Sequence, residues 1–151
     1  MLNIDTSPQA IIDQLGLEKH PEGGWYTQTW RDGPTSTQDG TRGAGSAIYY
    51  LLEEGQRSHW HKIDAVEIWH FHLGMPLELS ISHDAKTTDM HLLGPDLERH
   101  MRPQVIVPGQ AWQSAYAPFG WSLVGCSVTP AFLFETFEMA PKGWLPGRPL
   151  S

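Results

Sequence analysis

The chain opens with one short segment of helical periodicity. Apolar side chains within residues 7–16 recur at three- and four-residue spacing, at Ala10, Ile11, Ile12 and Leu15. Ser7, or Thr6, can cap the first turn, Pro8 suits that turn, and Gly16 suits the C-terminal end. The pattern therefore predicts a helix at about residues 7–16, with an apolar stripe that docks on a larger body.

Past this segment the pattern changes to short apolar or alternating runs. Residues 22–140 contain runs rich in aromatic and β-branched side chains, separated by Gly, Pro and Asp. Examples are WYTQTW, AIYYLL, VEIWHFHL, LELSIS, QVIV, SLVGCSV and FLFETFEMA. Seven Trp, 15 Gly and 12 Pro disfavour a helical bundle. We predict an all-β barrel or sandwich at about 22–140, followed by an irregular tail at 141–151.

Residues 32–46, a polar and glycine-rich segment, separate two of the predicted strands. The segment is too long for a turn, so we predict either a mobile loop or a lid. No internal repeat or second domain boundary is visible, and 151 residues suffice for one buried core. Residues 1–151 are therefore interpreted as a single domain.

Charge and cysteine content narrow the class of protein. The net charge of −7 and the absence of a Lys/Arg run argue against a nucleic-acid partner. A single cysteine, Cys126, allows no internal disulfide and fits a reducing compartment. The sequence has neither the pattern of a signal peptide nor an apolar window of about 18 residues. We expect a cytoplasmic protein without a membrane partner.

Residues 57–74, RSHWHKIDAVEIWHFHLG, hold two His-x-His pairs and an acid. Strand alternation places His59 and His61 on one face. After a turn, Glu67 shares its face with three apolar residues, Trp69, Phe71 and Leu73. A carboxylate facing an apolar interior is costly unless it is paired. A metal ion held by His59, His61 and Glu67 would remove that cost.

The second pair, His70 and His72, has its own acid. Glu78 follows His72 by six residues, the same separation as between His61 and Glu67, so spacing alone does not decide. The second pair shares its face with only one apolar neighbour, and we expect it at the surface or at a subunit interface. Four other histidines lie in polar contexts and are expected to be solvated: His20, His83, His91 and His100.

The histidine stretch resembles the first motif of the cupin superfamily, which runs His-x-His, three or four residues, Glu, six residues, Gly. Here five residues separate His61 from Glu67, and six then precede Gly74. VPGQAWQSA resembles the second motif, Pro-x-Gly-x-x-His, with Pro108 in place and Gln113 at the histidine position.

The resemblance implies a divalent metal ion (Zn, Fe, Ni or Mn) bound by His59, His61, Glu67 and Gln113. Glutamine is a neutral, weak oxygen donor, so affinity is expected to be lower than with a third histidine.

Three further segments, HPEGGWYTQTWRD, GSAIYYLL and LVGCSVTPAFLFETFEMA, are similar to the small single-domain cupin-5 group, and the likeness covers about residues 6–142. It implies a double-stranded β-helix, the cupin jelly-roll barrel, with a short N-terminal helix and usually a homodimer. The group is similar in fold to dTDP-sugar 3,5-epimerases and to plant seed storage proteins. Neither likeness determines a function.

Small barrels bind ligands at the barrel mouth. Candidates for the pocket walls are Tyr49 (or Tyr50), Trp69, Phe71 and Trp112, and Glu22 is a candidate for closing over the pocket. His61 and Glu67 are the candidate catalytic residues.

Three functions remain open. The favoured one is a metal-dependent isomerase, epimerase or oxygenase acting on a small polar metabolite. The second is metal-free epimerase-like chemistry, with His61 as a base assisted by Glu67 or Asp64 and a tyrosine as the acid. Its cations for a nucleotide pyrophosphate would come from Arg31, Arg57 and Arg102. The third is a non-enzymatic binding or storage module.

Overall fold

A computed structural model describes residues 6–35 and 40–150. Helix α1 spans Pro8–Leu15, as predicted, because both of its ends carry local stop signals. The Ser7 hydroxyl accepts a hydrogen bond from the Ala10 amide, and Gly16 adopts the left-handed conformation with φ of 66°. The central part of the predicted loop at 32–46, residues 36–39, lies outside the described residues.

Replacing the helix cap is expected to have a small, local effect. Ser7→Ala leaves the Ala10 amide without its side-chain acceptor and is expected to lower the free energy of unfolding by about 1 kcal/mol. Thr6→Ala is the matched control, because Ser7 and not Thr6 makes the capping bond. Urea denaturation measures both; an equal loss in the two variants would contradict the assignment.

Eleven strands form two antiparallel sheets in the described part of the chain. They are β1 (Glu18–Lys19), β2 (Trp25–Arg31), β3 (Ser46–Leu52), β4 (Arg57–Lys62), β5 (Val66–Gly74), β6 (Leu77–Ser82), β7 (Asp89–Leu93), β8 (Gln104–Val107), β9 (Trp112–Tyr116), β10 (Ser122–Thr129) and β11 (Glu138–Met139). One sheet has the order β1-β2-β3-β10-β5-β8 and the other β11-β4-β9-β6-β7. Two sheets formed by strands distant in sequence confirm the predicted all-β jelly-roll barrel with its N-terminal helix.

The main core lies between the two sheets, where the buried side chains of alternating strand positions meet. It includes Tyr50, Trp69, Leu79, Val107 and Val124. Among the described helices, none is long and apolar enough to cross a membrane.

Helix α1 packs its apolar stripe outside the first sheet. Ile11 and Ile12 contact a cluster that contains Leu51 and Leu123, with Leu73 at its edge. Leu73 was predicted to share the inward face of Glu67. A bulge in the pairing of β5 with β10 next to this residue changes the alternation and turns Leu73 outward.

The segment FLFETFEMA differs most from its prediction as a strand. Phe134–Thr136 form a short 3-10 helix, and only Glu138–Met139 pair as a strand. Phe132 packs against Phe134 and Phe137, with ring centroids 4.9 and 5.9 Å apart. The aromatic side chains of this segment form a cluster of their own instead of alternating between two faces. Tertiary packing therefore overrides the strand propensity of the segment.

Candidate functional site

A cavity of about 260 Å³ opens between β2, β3, β4, β5, β10 and the segment at 132–137. Its polar lining is His20, Glu22, Tyr26, Gln28, Arg31, Thr35, Ser46, His61, Glu67 and Cys126. Its apolar lining is Ala47, Ile48, Ile63, Val128, Phe132, Phe134 and Phe137. Apolar walls with a few convergent polar groups are typical of small-molecule sites.

Glu22 is brought into the cavity by the glycine pair that follows it. A Cβ on Gly23, whose φ is 107°, would lie 2.4 Å from the Arg57 carbonyl oxygen, so only glycine permits this approach to β4. The His59 amide donates to the Glu22 carbonyl at 2.8 Å, and the Tyr50 hydroxyl donates to the Gly23 carbonyl. The Glu22 backbone is thus held against the start of β4.

Glu22 and His61 form a buried ion pair. His61 Nδ1 lies 2.7 Å from Glu22 Oε2, and the Ser58 hydroxyl donates to the same oxygen at 3.0 Å. Burial opposes the charge on His61, but the Glu22 carboxylate prevails and raises the pKa of His61 to about 9. Burial likewise opposes the charge on Glu22, and His61 outweighs it, so the pKa of Glu22 is lowered. At neutral pH the pair is imidazolium and carboxylate.

The orientation of the His61 ring follows from these contacts. Nδ1 is directed to Glu22 and to the His59 carbonyl oxygen, which lies 2.7 Å away. Phe137 stacks on the ring, with centroids 5.4 Å apart and planes at 30°. None of the described residues forms a hydrogen bond with Nε2, so this N–H is available to a molecule in the cavity.

Glu67 lies in the same cavity and is held by a second set of contacts. Its Oε1 accepts a hydrogen bond from Gln113 Nε2 at 2.8 Å, and Gln113 Oε1 accepts from the Trp69 indole at 2.8 Å. The Cys126 thiol lines the same cavity and interacts with this carboxyl group. Burial, opposed by the nearby His61 charge, raises the pKa of Glu67 to about 7. This carboxyl group can therefore exchange a proton near neutral pH.

The predicted shared face of His59 and His61 is interrupted by a β-bulge in β4. Ser58 pairs with Ala115 of β9, and the next registered pair is His61 with Gln113. Three residues of advance along β4 thus correspond to two along β9. The extra residue in β4 reverses the alternation of its side chains between the two faces. As a result Ser58 and His61, rather than His59 and His61, face Glu22.

His59 lies away from the cavity. Its Nε2 is 3.1 Å from the carbonyl oxygens of Ala140 and Pro141 at the start of the C-terminal tail. The amide of Gln113 is engaged on both sides, by Trp69 and by Glu67. The four predicted metal ligands are therefore not brought together, and the described residues include no group of three or more His, Cys, Asp or Glu placed to hold a metal ion. The residues present do not fit the predicted centre.

Four of the five predicted pocket residues also lie elsewhere. Trp69 is fully buried in the main core, and Phe71 packs against that core. Trp112 packs with Trp60 and Trp144 in a separate cluster. Tyr49 lies near His72 on the helix-bearing side of the first sheet. Large rings on these strands fill space between or outside the sheets, and of the five only Glu22 lines the cavity.

Several cavity residues escaped the sequence analysis. His20 was expected to be solvated, but its side chain is only 7% exposed and lies beside Glu22, with Nδ1 3.5 Å from Oε1. This burial lowers the pKa of His20. The sequence HPEGG could have indicated these cavity residues, because a histidine and an acid two residues apart precede two glycines, both of which adopt positive φ. Asp64, the other predicted assistant of His61, instead pairs with Arg42 at 2.8 Å.

The second histidine pair lies on β5, outside this cavity. His70 Nε2 is 3.0 Å from the Ser127 hydroxyl, and His72 makes an edge contact with the Tyr49 ring. Burial and the neighbouring His70 lower the pKa of His72. A role for the pair at a subunit interface stays a prediction.

Comparisons with known proteins agree with this architecture. Protein SO0799 of Shewanella oneidensis is 36% identical, with a TM-score of 0.81 over 89% of this chain and 84% of that chain. A hypothetical protein from Leishmania major is 30% identical, with a TM-score of 0.78 over 88% and 86%. Oxalate decarboxylase from Bacillus subtilis, at 11% identity and a TM-score of 0.61 over 80% and 29%, shares the fold alone.

None of the curated proteins matches this chain. The family model Cupin_5, described as cupin superfamily (DUF985), matches residues 9–140. This match covers most of the chain and coincides with the barrel and its helix. The chain therefore belongs to the Cupin_5 family of the cupin superfamily.

Proposed function

We propose that this protein is a metal-free isomerase or epimerase that moves a proton on a small carbonyl metabolite. The observation that carries the proposal is the presence of a buried imidazolium, His61, and a carboxyl group of near-neutral pKa, Glu67, in one cavity. Two titratable groups whose environments hold them in different protonation states are typical of acid–base sites.

The chemistry requires no redox partner. Glu67, as carboxylate, takes the proton from the carbon next to the carbonyl group. The C–H electron pair forms a carbon–carbon double bond, and the carbonyl electron pair moves to oxygen, which His61 Nε2–H stabilises or protonates. The epimer forms when the enol turns its other face to Glu67 before the proton returns. The isomer forms when the carbon that lost the proton carries a hydroxyl group: Glu67 returns the proton to the former carbonyl carbon, and the hydroxyl proton passes to His61. Glu22 keeps His61 charged before and after the reaction.

The metal-dependent enzyme favoured by the sequence pattern is less well supported, because His59 and Gln113 are engaged elsewhere. After expression with added Zn, Fe, Ni or Mn, elemental analysis of the purified protein is expected to find less than about 0.1 equivalent of metal. A stoichiometric metal that is lost in His59→Asn would contradict the metal-free proposal.

Proton exchange provides the direct test of the function. Incubated in D₂O with a panel of small 2-oxo acids, aldoses and ketoses, the protein is expected to replace the proton next to the carbonyl group in at least one compound. Glu67→Gln is expected to slow this exchange by about 10²–10⁴-fold, because the base is removed. Proton NMR follows the loss of the C–H signal.

The control for this test is His59→Asn, which alters a histidine outside the cavity and is expected to leave exchange unchanged. If no compound of the panel exchanges faster than in buffer alone, the result would contradict the proposed enzymatic activity.

A binding module without chemistry is the second candidate. It is favoured by the aromatic cluster Phe132, Phe134 and Phe137, which contributes a large share of the apolar lining. Binding of a compound without exchange at any of its C–H groups would support this alternative. In either case we propose a homodimer with a small-molecule ligand.

A further inference from the structure

Arg31, at the end of β2, contributes a cation to the cavity lining. Its guanidinium group is held by two backbone carbonyls: Nη1 donates to Pro34 at 3.0 Å, and Nη2 donates to Phe132. No carboxylate forms an ion pair with it within residues 6–35 and 40–150, and its buried Nε finds no acceptor there. Buried donors without acceptors are rare in folded proteins.

The other two arginines considered for anion binding lie elsewhere. Arg57 stacks on the Tyr116 ring at 4.4 Å, and Arg102 donates to the Met101 carbonyl at 2.8 Å. Neither lines the cavity. Arg31 is thus the arginine through which this cavity can recognise an anion.

The charged groups that line the cavity are not all paired with one another. Glu22 and His61 compensate each other at 2.7 Å. Glu67 shares its carboxyl group with an amide and a thiol rather than with Arg31. Arg31 therefore has no carboxylate partner among the described residues, and a negative charge on a ligand would supply one. A guanidinium fork suits a carboxylate in particular, through two parallel hydrogen bonds.

Size and apolar surface restrict the ligand further. The cavity volume of about 260 Å³ is below the range of about 300–1,000 Å³ usual for drug-sized ligands. Phe132, which accepts from Arg31 through its backbone, also presents its ring to the cavity, as do Phe134 and Phe137. A compact ligand with one anionic end and one apolar part matches this lining.

We infer that the ligand is a small 2-oxo carboxylate with an apolar side chain, whose carboxylate binds Arg31 and whose carbonyl oxygen faces His61. This inference rests on the proposed function and names its substrate class. Arg31 is the specificity-determining residue, since it selects the anion and orients the carbonyl group toward the acid. The exchanging proton is then the one on the carbon beyond the carbonyl group, next to Glu67.

The test compares phenylpyruvate with phenylacetone, which has the same phenyl, methylene and carbonyl groups but no carboxylate. Isothermal titration at pH 7.5 is expected to show about 10- to 100-fold tighter binding of phenylpyruvate, because charge-assisted hydrogen bonds are lost with the neutral compound. 4-Methyl-2-oxopentanoate is expected to bind as well, and inorganic phosphate is expected to bind more weakly than either acid.

Substitutions of arginine test whether the carboxylate of the ligand binds Arg31. Arg31→Gln is expected to abolish the preference for phenylpyruvate, and the exposed Arg99→Gln, whose guanidinium lies outside the cavity, is expected to retain it. Because Arg31 also holds two backbone carbonyls, Arg31→Lys serves as the second variant; it retains the charge and is expected to keep part of the preference. Circular dichroism verifies the fold of each variant.

The inference would be overturned by equal affinity for phenylpyruvate and phenylacetone, by an unchanged preference in folded Arg31→Gln, or by no binding of either 2-oxo acid at millimolar concentration. Tighter binding of phosphate than of the two acids would also contradict the inference that the cavity selects a carboxylate. Binding is measured in Glu67→Gln as well, and the anion preference is expected to persist there. Anion-selective binding without exchange in the wild type would refute the proposed function and leave the binding site intact.

Discussion

Replacing Glu22 with glutamine is expected to lower the free energy of unfolding by about 3 kcal/mol at pH 7 and to remove proton exchange. The substitution leaves the His61 imidazolium, 3% exposed, without its counter-charge at 2.7 Å. Removing one partner of a buried ion pair typically costs about 3–5 kcal/mol, because the remaining charge is uncompensated. His61 is then expected to lose its proton and with it the ability to act as an acid.

The pH dependence of stability identifies the same pair. The pKa of His61 is raised from 6.5 to about 9, so its stabilising contribution is complete below pH 6.5 and is lost as the pH rises through 9. The pKa of Glu22 is lowered, so its contribution is present above 4.5 and is lost as the pH falls through the folded value. The effect of Glu22→Gln is therefore expected to be largest at about pH 4.5–6.5 and to shrink toward pH 9.

Urea denaturation between pH 4 and 10 measures this effect. Glu18→Gln is the matched control, since Glu18 is exposed on β1 in the preceding segment. The double variant Glu22→Gln/His61→Asn separates the pair from its surroundings, because most of the loss in Glu22→Gln is expected to be recovered when the unpaired ring is also removed. Additive losses across the cycle would show that the two side chains do not form an ion pair.

Replacing Glu67 with glutamine is expected to stabilise the protein at pH 8 while slowing exchange by about 10²–10⁴-fold. Burial raises the pKa of Glu67 from 4.5 to about 7. The neutral form therefore contributes stability that is complete below pH 4.5 and is lost as the pH rises through 7. Glutamine, still able to accept from Gln113, avoids that loss, and the expected gain at pH 8 is on the order of 2 kcal/mol, partly offset by a weaker attraction on His61.

Chemical denaturation of the wild type and of Glu67→Gln at pH 4, 6 and 8 tests whether the substitution raises the free energy of unfolding. The two proteins are expected to be nearly equal at pH 4 and to diverge as the pH rises. Glu78→Gln on β6, the acid that follows the second histidine pair, is the control and is expected to change stability by less than about 0.5 kcal/mol at each pH. A variant less stable than the wild type at pH 8 would show that the ionised Glu67 is favourably paired. A stabilised but inactive variant would illustrate that functional sites often reduce stability.

The agreement between sequence and structure is best where the signal is local. Ser7 and Gly16 mark the ends of α1 because capping involves only neighbouring backbone groups. Alternating apolar runs predict most strands for a similar reason, since one face of each must be buried. The segment at 132–137 is the exception, because its phenylalanines pack with one another and line the cavity.

The prediction of the site was affected most by one unpaired residue in β4. A strict two-residue period predicts that His59 and His61 share one face of β4. Because of the bulge against β9, Ser58 and His61 share that face instead. A bulge depends on the pairing register of a strand more than fifty residues later, which no local pattern reveals. The same limitation applies to Gln113, whose amide is engaged by Trp69 and Glu67 from another strand.

The sequence by itself determined the fold class, the helix and the presence of an inward acid at Glu67, because periodicity, capping and the cost of burying a carboxylate are properties of short segments. Only the tertiary structure decided which groups surround that acid. Glu22 lies just before β2 and Arg31 at its end, whereas His61 comes from β4 and Glu67 from β5, and these groups meet in one cavity only after the strands have paired. Register and burial set the contacts and charges of these side chains, and so the chemistry proposed for them.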